Sequence, residues 1–88
     1  DKTLSRFFHQ SELQSDPQHM AGIIAAKEAF FKALGIVPKF LEIEIAYDHL
    51  GRPKIKASPQ LKKYESCDLS ISHERNYAVA VVVMEKQK

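Results

Sequence analysis

Two charged side chains, Glu28 and Lys32, lie four residues apart in the segment 25–35. At this spacing both side chains project from the same side of a helix, slightly off its apolar face. A carboxylate beside an ammonium group suits a magnesium ion and a phosphate, because Mg²⁺ takes oxygen ligands and lysine neutralises phosphate oxygens. The same spacing is typical of a surface ion pair worth about 0.2–0.5 kcal/mol. Spacing alone leaves both interpretations open.

A second polar group, Ser70, Ser72 and His73, lies at the end of a predicted strand and the start of a tight turn. Alternation along a strand places the two serines on one face. His73 enters the turn, where its ring could reach a ligand. A turn-forming serine followed by a solvated histidine would have the same sequence, so both interpretations stay open.

The third group is the turn segment Gly51-Arg52-Pro53. The glycine could simply supply the positive φ that a hairpin turn requires. It could also let the backbone approach a planar base, with Pro53 as a flat apolar surface. We do not expect zinc, because no His, Cys or carboxylate lies at metal-site spacing from the other three histidines, His9, His19 and His49.

The length of 88 residues limits how stable one copy can be. A domain this small buries only about 60% of the surface that its unfolded chain exposes. The lone cysteine, Cys67, excludes an intramolecular disulfide and is expected to be a small buried thiol rather than a nucleophile. Self-association is therefore the predicted source of additional stability.

The charge balance is mildly basic, with 13 basic and 11 acidic side chains and a formal net charge of +2. It suits a small polyanionic ligand or an acidic protein and does not require nucleic acid. No apolar stretch approaches the roughly 20 residues needed to cross a bilayer, and no signal peptide is recognisable, so a cytoplasmic location away from membranes is expected. Four lysines without an aromatic platform predict a solvated face or a landing surface for an acidic protein rather than a nucleic-acid site: Lys54, Lys56, Lys62 and Lys63.

A long helix is predicted over 17–34. Asp16 is a suitable N-cap, Pro17 occupies the first helical position and Gly35 is a suitable C-cap. Short helical turns are indicated upstream, within 1–10 and 11–13. Apolar residues recur with the three-and-four spacing of one buried helical face: Met20, Ile24, Phe31 and Leu34, flanked by Ile23 and Phe30.

Four strands are predicted after the helix. Alternating apolar residues over 41–47 indicate a strand with one buried face, and 53–57 returns as its partner after a turn. The last two strands cover 67–72 and 77–84, and the second is a nearly unbroken apolar run typical of a strand covered on both faces. A helical turn is expected over 60–64. One long helix packed on an antiparallel sheet predicts an α+β fold, and without a recognisable linker 1–88 is interpreted as one domain.

In combination, these segments closely resemble the holo-acyl-carrier-protein synthase type of 4′-phosphopantetheinyl transferase, in its small, trimer-forming branch. The resemblance covers about residues 7–84. Each segment alone is weak evidence for this family, whereas their combination in this order is specific for it. The segments that carry it are Met20-Ala21-Gly22, Ala25-Ala26-Lys27-Glu28-Ala29, Lys32-Ala33-Leu34-Gly35, Ile43-Glu44-Ile45, Gly51-Arg52-Pro53, Ser70-Ile71-Ser72-His73 and Tyr77-Ala78-Val79-Ala80-Val81.

The resemblance implies a site residue by residue. Glu28 would match the helix glutamate that binds Mg²⁺, and Lys32 would match the lysine that pairs with phosphate oxygens; these two are the expected catalytic residues. Lys27 would add to the same positive field. Ser72 and His73 would lie near the nucleotide phosphates. On the adenine side, Gly51 and Pro53 would line the site.

The resemblance also implies an activity and an assembly. A member of this family moves the 4′-phosphopantetheine group from coenzyme A to a serine of an apo acyl carrier protein and releases 3′,5′-ADP, with Mg²⁺ as cofactor. The serine proton would pass either to a metal-polarised water or to a carboxylate such as Glu28. The expected assembly is a homotrimer with its clefts between neighbouring subunits, acting in fatty acid biosynthesis.

The chain departs from the family pattern at two points, and the first of them suggests an alternative function. Family members begin with a strand that carries a Gly-x-Asp motif, whose aspartate is a second metal ligand. Residues 1–88 do not contain this strand, so the chain is expected either to be a fragment or to lack the ligand. Relatives often carry a phosphate-binding arginine where this chain has Ile23, so this chain is expected to bind coenzyme A less tightly than they do. The alternative is a non-catalytic module of the same fold that binds a carrier protein or a nucleotide.

Overall fold

The architecture is one long helix packed against two antiparallel hairpins, and it confirms the predicted α+β class. The computed structural model describes residues 4–13, 16–74 and 77–85, without the side chain of His73. The helix α1 spans Pro17–Leu34, and the strands are β1 Ile43–Tyr47, β2 Pro53–Ala57, β3 Asp68–His73 and β4 Ala78–Val83. Short 3-10 turns occupy Leu4–Arg6, Gln10–Glu12, Phe40–Glu42 and Lys62–Tyr64.

The ends of α1 confirm both predicted caps. The Asp16 carboxylate accepts a hydrogen bond of 3.0 Å from the backbone N–H of Gln18, which satisfies one of the free donors at the helix start. Gly35 adopts the left-handed conformation with φ of 74°, and its N–H donates to the carbonyl of Phe31 at 2.9 Å. No helix in the described ranges is long and apolar enough to cross a membrane.

The buried face of α1 is displaced from the predicted one. Met20, Ile24 and Leu34 are only partly buried, whereas the two residues predicted to flank the face are almost completely buried. The reason is that the second hairpin packs along one side of α1, while Phe7 and Glu12 meet the helix at Lys27. The most buried positions of α1 are Gly22, Ile23, Ala26, Lys27, Phe30 and Phe31.

The strands form two separate two-stranded sheets, β1–β2 and β3–β4, rather than one continuous sheet. Ile45 lies opposite Ile55 in the first hairpin, and both belong to the core that also contains Phe8, Phe30 and Phe31. The first strand begins at Ile43 and not at residue 41, because the preceding three residues form a 3-10 turn. Alternation in the sequence therefore predicted the strand correctly and its start two residues too early.

Strand β4 is covered on one face only, so the prediction of cover on both faces is wrong for a single copy. Its residues alternate between partly buried and exposed, because α1 covers just one side of the hairpin. Val79, Val81 and Val83 are 52%, 54% and 55% exposed. We call these three residues the valine face.

Candidate functional site

Glu28 and Lys32 both lie on the solvent side of α1 and are exposed. Neither side chain forms a hydrogen bond or an ion pair with any residue in the described part of the chain. The surface ion pair that their spacing also allowed is therefore not formed. A carboxylate and an ammonium group are both available to a ligand on this side of the helix.

Lys27 precedes Glu28 but occupies a different environment. Its side chain is 0% exposed, and its Nζ donates to Oε1 of Glu12 at 2.6 Å. Desolvation lowers the pKa of Lys27, and the hydrogen bond and negative charge of Glu12 oppose that shift. The expectation that Lys27 adds to a positive field at the surface is corrected, because its ammonium group is enclosed in the core and fully occupied there.

Glu12 is the buried partner of Lys27, and the sequence did not indicate it. It is 1% exposed and lies in the 3-10 turn Gln10–Glu12. Its carboxylate accepts a hydrogen bond of 2.7 Å from the N–H of His9 and another of 2.7 Å from the N–H of Ile45. A glutamate is almost never fully buried unless it is paired, so a search for apolar periodicity treats it as a surface residue. The pattern of apolar residues therefore could not indicate the contact between Glu12 and Lys27.

The turn that carries Gly51 is exposed and is held together by Asp48. Gly51 has a φ of 82°, which agrees with the simple turn interpretation of this glycine. The Asp48 carboxylate accepts N–H groups of Leu50 and Arg52, each at 2.9 Å. The bond from Arg52 lowers the pKa of Asp48 most. Pro53 follows as the first residue of β2, partly buried opposite Tyr47.

Ser70 and Ser72 are exposed on the same face of β3, as alternation predicted. The intervening Ile71 packs against the core on the α1 side. Ser72 therefore points away from the helix that carries Glu28, and one copy of the chain does not place these two side chains together. The backbone of His73 pairs with Ala78, while the prediction for its side chain lies outside the described residues.

Glu28 offers one exposed carboxylate to a divalent cation. No group of three or more His, Cys, Asp or Glu that could hold a metal ion occurs among the described residues. Mg²⁺ is commonly held by one or two carboxylates, with substrate phosphates and water completing its octahedral shell. A single exposed carboxylate beside a free lysine fits a magnesium ion that is shared with a phosphate ligand.

Comparisons with known proteins point to one family. The family model described as the 4′-phosphopantetheinyl transferase superfamily matches residues 1–82. The chain is 43% identical over 94 residues to the holo-[acyl-carrier-protein] synthase of Nautilia profundicola, covering 98% of this chain and 82% of that protein. It is 39% identical to the synthase of Wolinella succinogenes, covering 97% of this chain and 80% of that protein.

A solved structure has the same fold. The crystal structure of Helicobacter pylori holo-[acyl-carrier-protein] synthase in complex with coenzyme A superposes with a TM-score of 0.85 at 35% sequence identity. The match covers 96% of this chain and 82% of that one. The predicted arrangement of helix and strands therefore agrees with that of a protein described as binding coenzyme A.

Proposed function

This chain belongs to the 4′-phosphopantetheinyl transferase superfamily, and we propose that it transfers the 4′-phosphopantetheine group of coenzyme A to a serine of an apo acyl carrier protein. The observation that carries the proposal is the match over nearly the whole chain to proteins named holo-[acyl-carrier-protein] synthase. The related structure in complex with coenzyme A supports the same donor. The products are a holo carrier protein and 3′,5′-ADP.

In this proposal, Glu28 is the protein ligand of Mg²⁺, and Lys32 pairs with phosphate oxygens of coenzyme A. Both side chains are exposed and unpaired among the described residues. A bound Mg²⁺ would supply Lewis-acid stabilisation of charge on the pyrophosphate oxygens. The ammonium group of Lys32 stabilises the negative charge that builds up on the departing 3′,5′-ADP as its bond to the pantetheine phosphate breaks.

The nucleotide side of the proposed site consists of Ser72 and His73 at the end of β3, with Gly51 and Pro53 in the first hairpin. Ser72 is exposed, and no heavy atom of the described residues lies within 4 Å of where a Cβ on Gly51 would be. Lys27 has no part in phosphate binding in this proposal, because its ammonium group is already saturated by buried acceptors.

We further propose that the site forms between copies of the chain in a homotrimer. Ser72 lies opposite Val79 in the hairpin register, and Ser70 lies opposite Val81, so these serines share the sheet surface with the valine face. A copy that covers the exposed valines would therefore also lie next to Ser70 and Ser72. The proposed setting is the cytoplasm, in fatty acid biosynthesis.

A mass-spectrometric transfer assay tests the proposed function. Incubation of the chain with coenzyme A, Mg²⁺ and an apo acyl carrier protein is expected to add the phosphopantetheine mass to the carrier protein. A carrier protein whose acceptor serine is replaced by alanine is the matched control and should stay unmodified. Binding of the carrier protein without any mass gain would instead support the non-catalytic module.

A further inference from the structure

We infer that the buried ion pair of Glu12 and Lys27 positions Glu28 for the metal and phosphate, an inference that rests on the proposed function. Lys27 is the residue immediately before Glu28 in α1. Glu12 reaches it from the 3-10 turn Gln10–Glu12. Neither residue faces a ligand, so both act through the backbone of α1.

The ammonium group of Lys27 joins α1 to three other parts of the chain. Besides Oε1 of Glu12 at 2.6 Å, its Nζ donates to the backbone carbonyl of Phe7 at 2.8 Å and to that of Phe40 at 3.0 Å. A lysine ammonium has three donors and no acceptor, so these bonds use all of its hydrogens. The acceptors come from segments before and after α1 in the sequence.

Glu12 extends the connection to the first hairpin. One carboxylate oxygen accepts the N–H of His9 in addition to the lysine, and the other accepts the N–H of Ile45 in β1. Hydrogen bonds are directional, whereas apolar packing is not. The pair therefore adds directional restraints on the rotation and the axial position of α1 to those that apolar packing supplies.

Such control matters because the Glu28 side chain has no partner of its own in the described part of the chain. Its side chain has no hydrogen bond or ion pair with a described residue, so its location depends on where the helix backbone lies. Side-chain ends lie about 5–6 Å from a helix axis, so a rotation of about 10° moves them by about 1 Å. A displacement of about 1 Å can reduce a reaction rate by about 100-fold, and Mg²⁺ tolerates little deviation from octahedral geometry.

Replacement of the pair by uncharged side chains of similar size tests positioning. The replacement also leaves the carbonyls of Phe7 and Phe40 without their donor, so stability is expected to fall and a control variant of lowered stability is required. The test variant is Glu12→Gln with Lys27→Met. Ile55→Ala, a buried position in β2, is the control, because it destabilises the core and leaves the ion pair intact.

The first measurement is the binding of Mn²⁺ in the presence of coenzyme A, followed by the electron paramagnetic resonance signal of free Mn²⁺. We expect the double variant to bind Mn²⁺ about tenfold or more weakly, while Ile55→Ala binds it like the original chain. In transfer assays, the half-saturating Mg²⁺ concentration should rise in parallel. A folded double variant with the original Mn²⁺ affinity and Mg²⁺ response would overturn the inference.

Two further variants keep the outcome interpretable. If circular dichroism shows that the double variant is unfolded, Glu12→Asp replaces it as the test variant. This substitution keeps the charge and withdraws the carboxylate by one methylene. Mn²⁺ binding by Glu12→Asp as tight as that of the original chain would then overturn the inference. Glu28→Gln tests the proposed function separately. Unchanged Mn²⁺ binding in Glu28→Gln refutes the proposed metal site. If Glu28→Gln loses Mn²⁺ binding and the double variant keeps it, the metal site stands and only the positioning role of the ion pair is refuted.

Discussion

Gly22 of α1 lies directly against Ile71 of β3, so closely that a Cβ atom on Gly22 would be 2.9 Å from Cγ2 of Ile71. Real Cβ atoms essentially never approach another heavy atom so closely. Ile71 separates the exposed Ser70 and Ser72 on the opposite face of β3. The distance between the helix and the strand of the proposed nucleotide side is thus set by the absence of a side chain at residue 22.

Gly22→Ala is expected to destabilise the fold by about 1–3 kcal/mol, the usual cost of overpacking. The loss should appear although alanine favours a helix interior by about 1 kcal/mol over glycine, because the branched side chain of Ile71 has little freedom to move. Urea unfolding measures the change. Combining the variant with Ile71→Ala should cost less than the sum of the two single changes, and strict additivity would contradict the contact.

Glu28→Gln is expected to abolish Mg²⁺-dependent transfer while changing the free energy of unfolding by less than about 0.5 kcal/mol. The substitution keeps the shape of an exposed side chain and removes the charge that a hard cation requires. Mass spectrometry of the carrier protein measures transfer. Glu42→Gln removes a carboxylate elsewhere and should keep full activity; equal activity of both variants would count against the proposed metal ligand.

Lys27→Met is expected to lower the free energy of unfolding by about 3–5 kcal/mol, because it leaves the carboxylate of Glu12 buried without its cation. The matched control is Lys32→Met, the same change at an exposed lysine, which should cost less than about 0.5 kcal/mol. Urea unfolding at neutral pH compares the two. Similar losses in both variants would show that the buried pair carries no special energy.

Val81→Glu is expected to weaken self-association, since it places a charge in the centre of the valine face. Sedimentation velocity should show a shift toward the 10.0 kDa mass of one copy. Val37→Glu is the control, because Val37 is 79% exposed in the loop after α1. If both variants sediment like the original chain, the valine face is not the contact between copies.

The Asp48 turn should become less stable in acid. The pKa of Asp48 in the folded chain is lowered, chiefly by the hydrogen bond from the backbone of Arg52. The ionised carboxylate therefore stabilises the fold fully above the unfolded pKa of about 3.9, and this stabilisation is lost as pH falls through the folded pKa. The melting temperature of Asp48→Asn should therefore lie below that of the original chain at neutral pH and converge with it in acid. Asp68→Asn, an exposed control without a hydrogen bond to a described residue, should leave the melting temperature at neutral pH unchanged.

Local rules in the sequence predicted most of the elements. Asp16 and Gly35 bounded the helix because a cap depends on neighbouring backbone groups alone. Alternation over 43–47 predicted a strand because side chains on a strand point to opposite faces whatever lies beyond. Glu28 and Lys32 were correctly predicted to lie off the buried face of the helix, and their roles stay proposals.

The amino-acid sequence by itself thus determined the helix and its caps, the hairpins, the α+β class and the family. Only the tertiary structure decided that Lys27 turns inward to Glu12, that the valines of β4 stay exposed in one copy, and that Ser72 points away from Glu28. The physical reason is the range of the interactions. Caps, turns and periodicity act between residues close in the chain, whereas a buried ion pair and the cover of a sheet face depend on residues that only folding or assembly brings together.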